Sequence, residues 1–228
     1  MRLITIAGPP SSGKTAVMSK ALSALVANGW KVGAIKIDCL STEDHCLYRE
    51  SGVSSQRGLS GPLCPDHYFA SNLDEMLTWG QSLELDLLAT ESAGLCNRCA
   101  PHVSDVFAVC VVDCLGGINT PKKLGPMLKL ADLVVVTKGD LVSQAEREVF
   151  AFHLQSVHPK ALVLGVNGLT GQGTDELAQL LRERAQPVGP LDTQRLRFPM
   201  PAALCSYCLG ETRLGRDYQV GNLRKLEL

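Results

Sequence analysis

The 228-residue chain predicts an α/β domain of the P-loop NTPase kind, a mainly parallel sheet with helices on both faces, ending in a short cysteine-containing C-terminal tail. Three observations carry this. Apolar runs suited to buried strands recur at 3–7, 32–37, 85–90, 106–113, 133–137 and 161–166, and helical patterns at 15–27, 42–50, 72–80, 120–130, 143–155 and 174–185 lie between several of them. The first run and the first helical pattern are joined by Gly8-Pro9-Pro10-Ser11-Ser12-Gly13-Lys14-Thr15, which meets every fixed position of the phosphate-loop pattern G-x-x-x-x-G-K-[ST]. The composition, 45% hydrophobic with a net charge of −1, suits one soluble domain with a full core.

Each element then has a task. The helix after the loop carries Val17, Ala21, Leu22 and Leu25 at helical spacing. A glycine-rich turn at its start aims consecutive backbone N–H groups and the positive helix end at one spot, where nucleotide phosphates bind. Gly8, Ser11, Ser12 and Gly13 form that cradle, Lys14 reaches the terminal phosphates, and the Thr15 hydroxyl ligates Mg²⁺. The second run leads to Asp38 and then Thr42-Glu43-Asp44. A short extended stretch at 55–59 precedes Cys64-Pro65-Asp66-His67, and the helical pattern at 72–80 follows. The third run leads to Glu91-Ser92-Ala93-Gly94, and the fifth to Thr137-Lys138-Gly139-Asp140. A carboxylate at the end of a strand accepts two N–H bonds from the edge of guanine, which adenine does not offer. Asp140 is therefore expected to read the base, the Lys138 stem to cover it, and the loop beginning Asn167-Gly168-Leu169 to close over it. GTP and GDP are expected over ATP and ADP. Gln186-Pro187-Val188-Gly189-Pro190 breaks the last helix, giving a domain at 1–185 and a linker with tail at 186–228.

The balance of charge argues against a nucleic-acid partner, and no apolar stretch approaches the roughly 18 residues that a membrane span needs. The N-terminus enters a strand directly, so a cytoplasmic protein is expected. Nine cysteines, odd in number and unevenly spaced, do not form a disulfide framework. Cys110 and Cys114 flank a Val-rich strand as small hydrophobes.

Glu91-x-x-Gly94 in place of the commoner Asp-x-x-Gly, taken with Thr137-Lys138-Gly139-Asp140, resembles the HypB/UreG/CobW class of GTPases, which deliver metals or cobalamin to enzymes. The resemblance covers roughly residues 1–185. It implies that the segment 32–44 is a first switch, with Asp38 close to Mg²⁺, and that Lys14, Asp38 and Glu91 carry the hydrolysis chemistry beside Gly94 at the γ-phosphate. It also implies slow turnover and a GTP-dependent homodimer, with part of the contact in Gly116-Gly117-Ile118-Asn119-Thr120-Pro121-Lys122-Lys123. The related ATPase branch carries a lysine early in the phosphate loop, and here Pro9, Pro10, Ser11 and Ser12 occupy it.

Three constellations suggest a further metal. Members of the class bind Ni²⁺ or Zn²⁺ through Cys-Pro-His or Cys-His, and Cys64-Pro65-Asp66-His67 departs from both by the inserted Asp66. Two protomers would supply four ligands about a two-fold axis. Cys96-x-x-Cys99 puts two thiolates on one ion just after Gly94, with His102 as a third candidate. Cys205-x-x-Cys208 repeats the spacing in the tail, so a shared four-thiolate zinc or iron–sulfur site, or two separate sites, are both allowed. The reading is a GTP-dependent metallochaperone that serves a client metalloenzyme or its assembly factors. The competing reading is a nucleotide-switched regulatory module with structural zinc. A small-molecule kinase lacks any lid or acceptor signature.

Overall fold

Strand β1 (Arg2–Ala7) is buried at every residue after its first, as a strand covered on both faces must be. It is the middle strand of a seven-stranded sheet ordered β3-β2-β4-β1-β5-β6-β7, in which every adjacent pair is parallel. The other strands are β2 (Val32–Asp38), β3 (Ser54–Leu59), β4 (Leu87–Ser92), β5 (Phe107–Asp113), β6 (Leu133–Thr137) and β7 (Leu162–Gly165). The helices are α1 (Lys14–Ala27), α2 (Asp44–Glu50), α3 (Pro65–Ser82), α4 (Thr120–Lys123), α5 (Pro126–Lys129), α6 (Gln144–Val157) and α7 (Thr174–Arg184). The computed structural model describes residues 1–94, 100–198, 210–215, 217–219 and 223–228. Cys96, Cys99, Cys205 and Cys208 lie outside them.

The chain leaves β1 for β2 on one side and later crosses from β4 to β5 on the other. The loops after β1 and β4 therefore meet at the carboxyl edge where strand order reverses, the place where open α/β sheets bind ligands. One face of the sheet packs Ile4, Val109 and Val135 against Val17, Leu22 and Leu181 of α1 and α7. The other packs Leu3, Ile35 and Leu88 against Phe69, Leu73 and Met76 of α3. Cys110 and Cys114 are buried in a third apolar cluster with Phe150 and Leu128, and burial pushes the Cys110 thiol up to about 12.

The extended stretch read at 55–59 is the edge strand β3. Three local expectations change. Helix α3 begins at Pro65, seven residues before the predicted start, because proline suits a first helical position. His67 is thus in a helical first turn. Gly125 splits the predicted helix at 120–130 into α4 and α5. Strand β4 runs to Ser92, so Glu91 lies inside the sheet and not after it.

The described part of 186–228 is packed against the domain. Val188 N–H donates to the Met1 carbonyl at 3.2 Å, and Arg197 forms a two-pronged pair with Asp132 at 2.8 and 3.0 Å. Leu196, Leu214 and Leu226 join the α3-side core. Asn72 of α3 holds the final residues, donating to the Arg224 carbonyl and accepting from Leu226 N–H. Lys225 and Arg213 pair with Glu75 and Glu211. Among the described residues no helix is long and apolar enough to cross a membrane.

Candidate functional site

The phosphate loop is built from residues that only its geometry explains. Gly8 has φ +148°, and a Cβ there would collide with the Val111 carbonyl. Gly94, φ +73°, rests so closely on the Gly8 carbonyl that no side chain fits between the loops after β1 and β4. Lys14 is buried, and its Nζ donates to the carbonyls of Gly8 and Pro9 at 3.0 and 2.9 Å. Burial lowers its pKa, against the pull of Glu91. Ser12 Oγ is buried with no hydrogen-bond partner among the described residues, an orphan hydroxyl that a phosphate oxygen would satisfy.

Next to the loop, carboxylates and cations interlock. Glu91 pairs in register with Ile6 on one side and Lys36 on the other. Its carboxylate accepts from Thr15 Oγ1 at 2.8 and 3.1 Å, from Lys36 Nζ at 2.6 Å and from Tyr48 Oη at 2.5 Å. The same Thr15 hydroxyl lies 3.0 Å from Asp44 Oδ2, and Lys36 Nζ also pairs with that oxygen at 2.7 Å. Burial alone would lower the Lys36 pKa, but Glu91 and Asp44 raise it on balance. Burial would raise the Asp44 pKa, and the Lys36 hydrogen bond outweighs it, leaving Asp44 below the ordinary carboxylate value. Tyr48 is held well above a normal phenol, first by burial and then by Glu91. Asp38 ends β2, accepts from Cys39 N–H at 2.7 Å, and lines the same cavity of about 510 Å³ as Lys14, Thr15, Asp44 and Glu91. Asp44, Lys36 and Tyr48 were not among the residues that the sequence singled out. The available signal was a lysine inside the apolar strand Val32–Asp38, which burial obliges to have a partner.

A second cavity of about 230 Å³ adjoins the loop, lined by Gly13, Val17, Thr137, Lys138, Asp140 and Asn167 among others. Thr137 Oγ1 donates to the Ser12 carbonyl at 2.6 Å, and Lys138 Nζ to the Ser11 carbonyl at 2.6 Å. Lys138 itself takes a left-handed backbone, φ 56°, which turns the chain so that Asp140 follows at the cavity rim. Asn167 Oδ1 accepts from Leu169 and Thr170 N–H, so this side chain shapes its own loop.

Cys64 immediately precedes α3, and His67 is fully buried in its first turn. Asp66 between them is buried, accepts from Ser92 Oγ at 2.6 Å, and is raised by burial to about 6 against that bond. This bond ties the Cys64–His67 turn to the residue after Glu91. His102 is different. Its Nδ1 meets Thr5 Oγ1 at 3.0 Å and its Nε2 meets the Met127 carbonyl at 3.0 Å. Nε2–H donates to the carbonyl and Nδ1 accepts from the hydroxyl, so no lone pair is left for a metal. The expectation that His102 is a ligand is corrected: it is a core histidine.

Burial lowers the His102 pKa to about 4, from an ordinary 6.5. Between those values the unfolded chain binds more protons than the folded one, so this group withdraws about 3 kcal/mol of stability as pH falls through the window. Asp66 acts with the opposite sign, since its raised pKa favours the folded state on acidification. Comparing His102→Gln with the unmutated chain by urea unfolding isolates the histidine. The variant is expected to gain about 3 kcal/mol relative to the parent between pH 7 and pH 4. A difference that does not change with pH would show that His102 titrates normally.

Residues 2–165 match the family model described as CobW/HypB/UreG, nucleotide-binding domain. The chain belongs to the CobW/HypB/UreG family. It is 42% identical over 227 residues, 100% of this chain and 97% of the relative, to an uncharacterized protein of Methanocaldococcus jannaschii. It is 31% identical to urease accessory protein UreG 2 of Methylorubrum extorquens, over 88% of this chain and 97% of that one. The fold matches the hydrogenase maturation factor HypB from Archaeoglobus fulgidus, with TM-score 0.64, 23% identity and coverage of 80% of this chain and 89% of that one. It also matches HypB from Helicobacter pylori in complex with nickel, with TM-score 0.65, 19% identity and coverage of 83% and 91%. The sheet and phosphate loop are those of a P-loop NTPase.

Proposed function

We propose that this member of the family is a guanine-nucleotide switch with slow GTPase activity, which takes up a borderline-soft metal ion and passes it to a client metalloenzyme or its assembly factors. The observation that carries the reading is the meeting, at one sheet edge, of the phosphate loop and the Thr15–Glu91–Lys36–Asp44 cluster, with the Cys64–His67 turn bonded to it through Asp66 and Ser92. The likeness to a urease accessory protein and to a nickel-bound HypB favours nickel, with zinc the alternative for the same ligand types.

The residues fit Mg²⁺ and a polyphosphate. Thr15, Asp44 and Asp38 would hold the ion through hard oxygen donors, and the ion would neutralise charge on the terminal phosphates. Glu91, with its oxygens already engaged by Thr15, Lys36 and Tyr48, orients the Thr15 hydroxyl and balances Lys36. Lys14 exchanges the Gly8 and Pro9 carbonyls for phosphate oxygens. Gly94 has no side chain between its N–H and the loop, so it is free to approach a γ-phosphate. Cys64 from two protomers would share a site in a GTP-stabilised dimer, which His67, buried in each protomer, would join once its turn opens to complete four ligands. Cys96 and Cys99, outside the described residues, begin two residues after Gly94.

Competition binding tests the guanine assignment. GTP and GDP are expected to bind at least a hundredfold more tightly than ATP and ADP, and Asp140→Asn to reduce that preference by about tenfold or more, as one charged hydrogen bond becomes an unmatched amide. Equal affinities in the unmutated protein would overturn the assignment.

A further inference from the structure

At the start of α2, Glu43, His45 and Cys46 bring three metal-ligating groups together. Cys46 Sγ lies 3.7 Å from His45 Nε2 and 3.5 Å from Glu43 Oε2, and the three ligand atoms all fall within 4.8 Å of one another. Bond lengths of about 2.0–2.3 Å around a tetrahedral ion put ligand atoms roughly 3.4–3.6 Å apart, so the cluster needs only a small closure. His45 is its anchor. The residue is 6% exposed, its carbonyl accepts from Ser55 Oγ at 2.6 Å, and its Nδ1 is buried without a hydrogen-bond partner among the described residues. No protein hydrogen bond therefore holds the far side of the ring, and the near side faces a thiol. Arg57 engages Glu43 Oε1 at 3.3 Å, which leaves Oε2 directed at Cys46.

We propose that Glu43, His45 and Cys46 form a binding site for a borderline-soft divalent cation such as Zn²⁺, Ni²⁺ or Co²⁺, separate from Cys64 and His67. Thiolate, imidazole and carboxylate together suit such ions and not Mg²⁺ or Ca²⁺. As the metal–sulfur bond forms, the Cys46 S–H bond breaks and the proton leaves to water. Three protein ligands keep the fourth position of a tetrahedral ion open, the arrangement of sites that exchange a ligand and not of closed structural zinc. Asp44 stands between Glu43 and His45 in the chain and bonds Thr15 and Lys36. An ion that fixes the start of α2 thereby fixes Asp44, and cation and nucleotide affinities must change by one common factor. This coupling rests on the nucleotide reading above; binding of the cation alone does not.

Cobalt(II) titration of the nucleotide-free full chain, followed by thiolate-to-cobalt charge-transfer absorption, tests the site. Cys46→Ser is expected to remove one cobalt equivalent together with its share of that absorption. Glu43→Gln, at a side chain 81% exposed and so without consequence for folding, is expected to weaken the same equivalent by about tenfold or more. Cys64→Ser should leave that equivalent in place. Titrations unchanged by both Cys46→Ser and Glu43→Gln would overturn the site, as would loss of the same equivalent in Cys64→Ser. Repeating the titration with GDP and with a non-hydrolysable GTP analogue should give different affinities, and equal ones would overturn the coupling.

Discussion

Lys36→Met is expected to destabilise the protein by about 3–5 kcal/mol, the usual cost of removing one partner from a buried ion pair. Lys36 is 4% exposed and Glu91 1% exposed, and the ammonium is shared between Glu91 and Asp44 at 2.6 and 2.7 Å. Without it, Glu91 keeps only the hydroxyls of Thr15 and Tyr48 as hydrogen-bond partners, and its buried charge loses the cation that pairs with it directly, with only Lys14 left nearby. Adding Glu91→Gln to Lys36→Met should recover part of the loss, because the orphaned charge goes too. Urea unfolding of both single variants and the double variant measures the coupling. A Lys36→Met variant within about 0.5 kcal/mol of the parent would show that the pair does not hold β2 to β4.

The second large effect concerns the phosphate loop. Lys14→Ala is expected to weaken GTP binding by about 4 kcal/mol, close to a thousandfold, since a desolvated charge that meets phosphate oxygens has no substitute in the loop. Stability of the nucleotide-free chain should change much less, because the ammonium there serves only backbone carbonyls, those of Gly8, Pro9 and Ala93. Equilibrium titration with a fluorescent guanine nucleotide reads the affinity, and a loss under threefold would mean that Lys14 does not reach the phosphates.

How much of this was legible beforehand follows from where each interaction is encoded. The phosphate loop is local: eight consecutive residues specify a strand, a turn and a helix start, so Gly8 to Thr15 could be placed from spacing alone. That Thr137 and Asp140 lie beside the phosphate loop was legible for a similar reason, as one ends a continuous apolar run and the other sits three residues beyond it. The partners of Glu91 were not, because Lys36, Tyr48 and Glu91 meet only once β2 and β4 lie side by side, and strand order is not written in any local pattern. Strand β3 was legible only as a short extended stretch and not as an apolar run, because an edge strand with one solvated face can be polar. His102 was misread because it follows two cysteines in the chain, whereas the fold carries it under β1 to Thr5. Asp44 stood in plain view after β2, yet Asp38 was singled out because the family resemblance implies an aspartate there close to Mg²⁺.

The central claim is that nucleotide state sets affinity for a soft-ligand metal ion. The most direct measurement is the nickel and zinc affinity of the full chain, once loaded with GDP and once with a non-hydrolysable GTP analogue and Mg²⁺, at fixed pH. The two states are predicted to differ severalfold, and the affinity for nucleotide is predicted to change by the same factor when metal is bound. Identical metal affinities in the two states, with nucleotide bound in both, would contradict the claim.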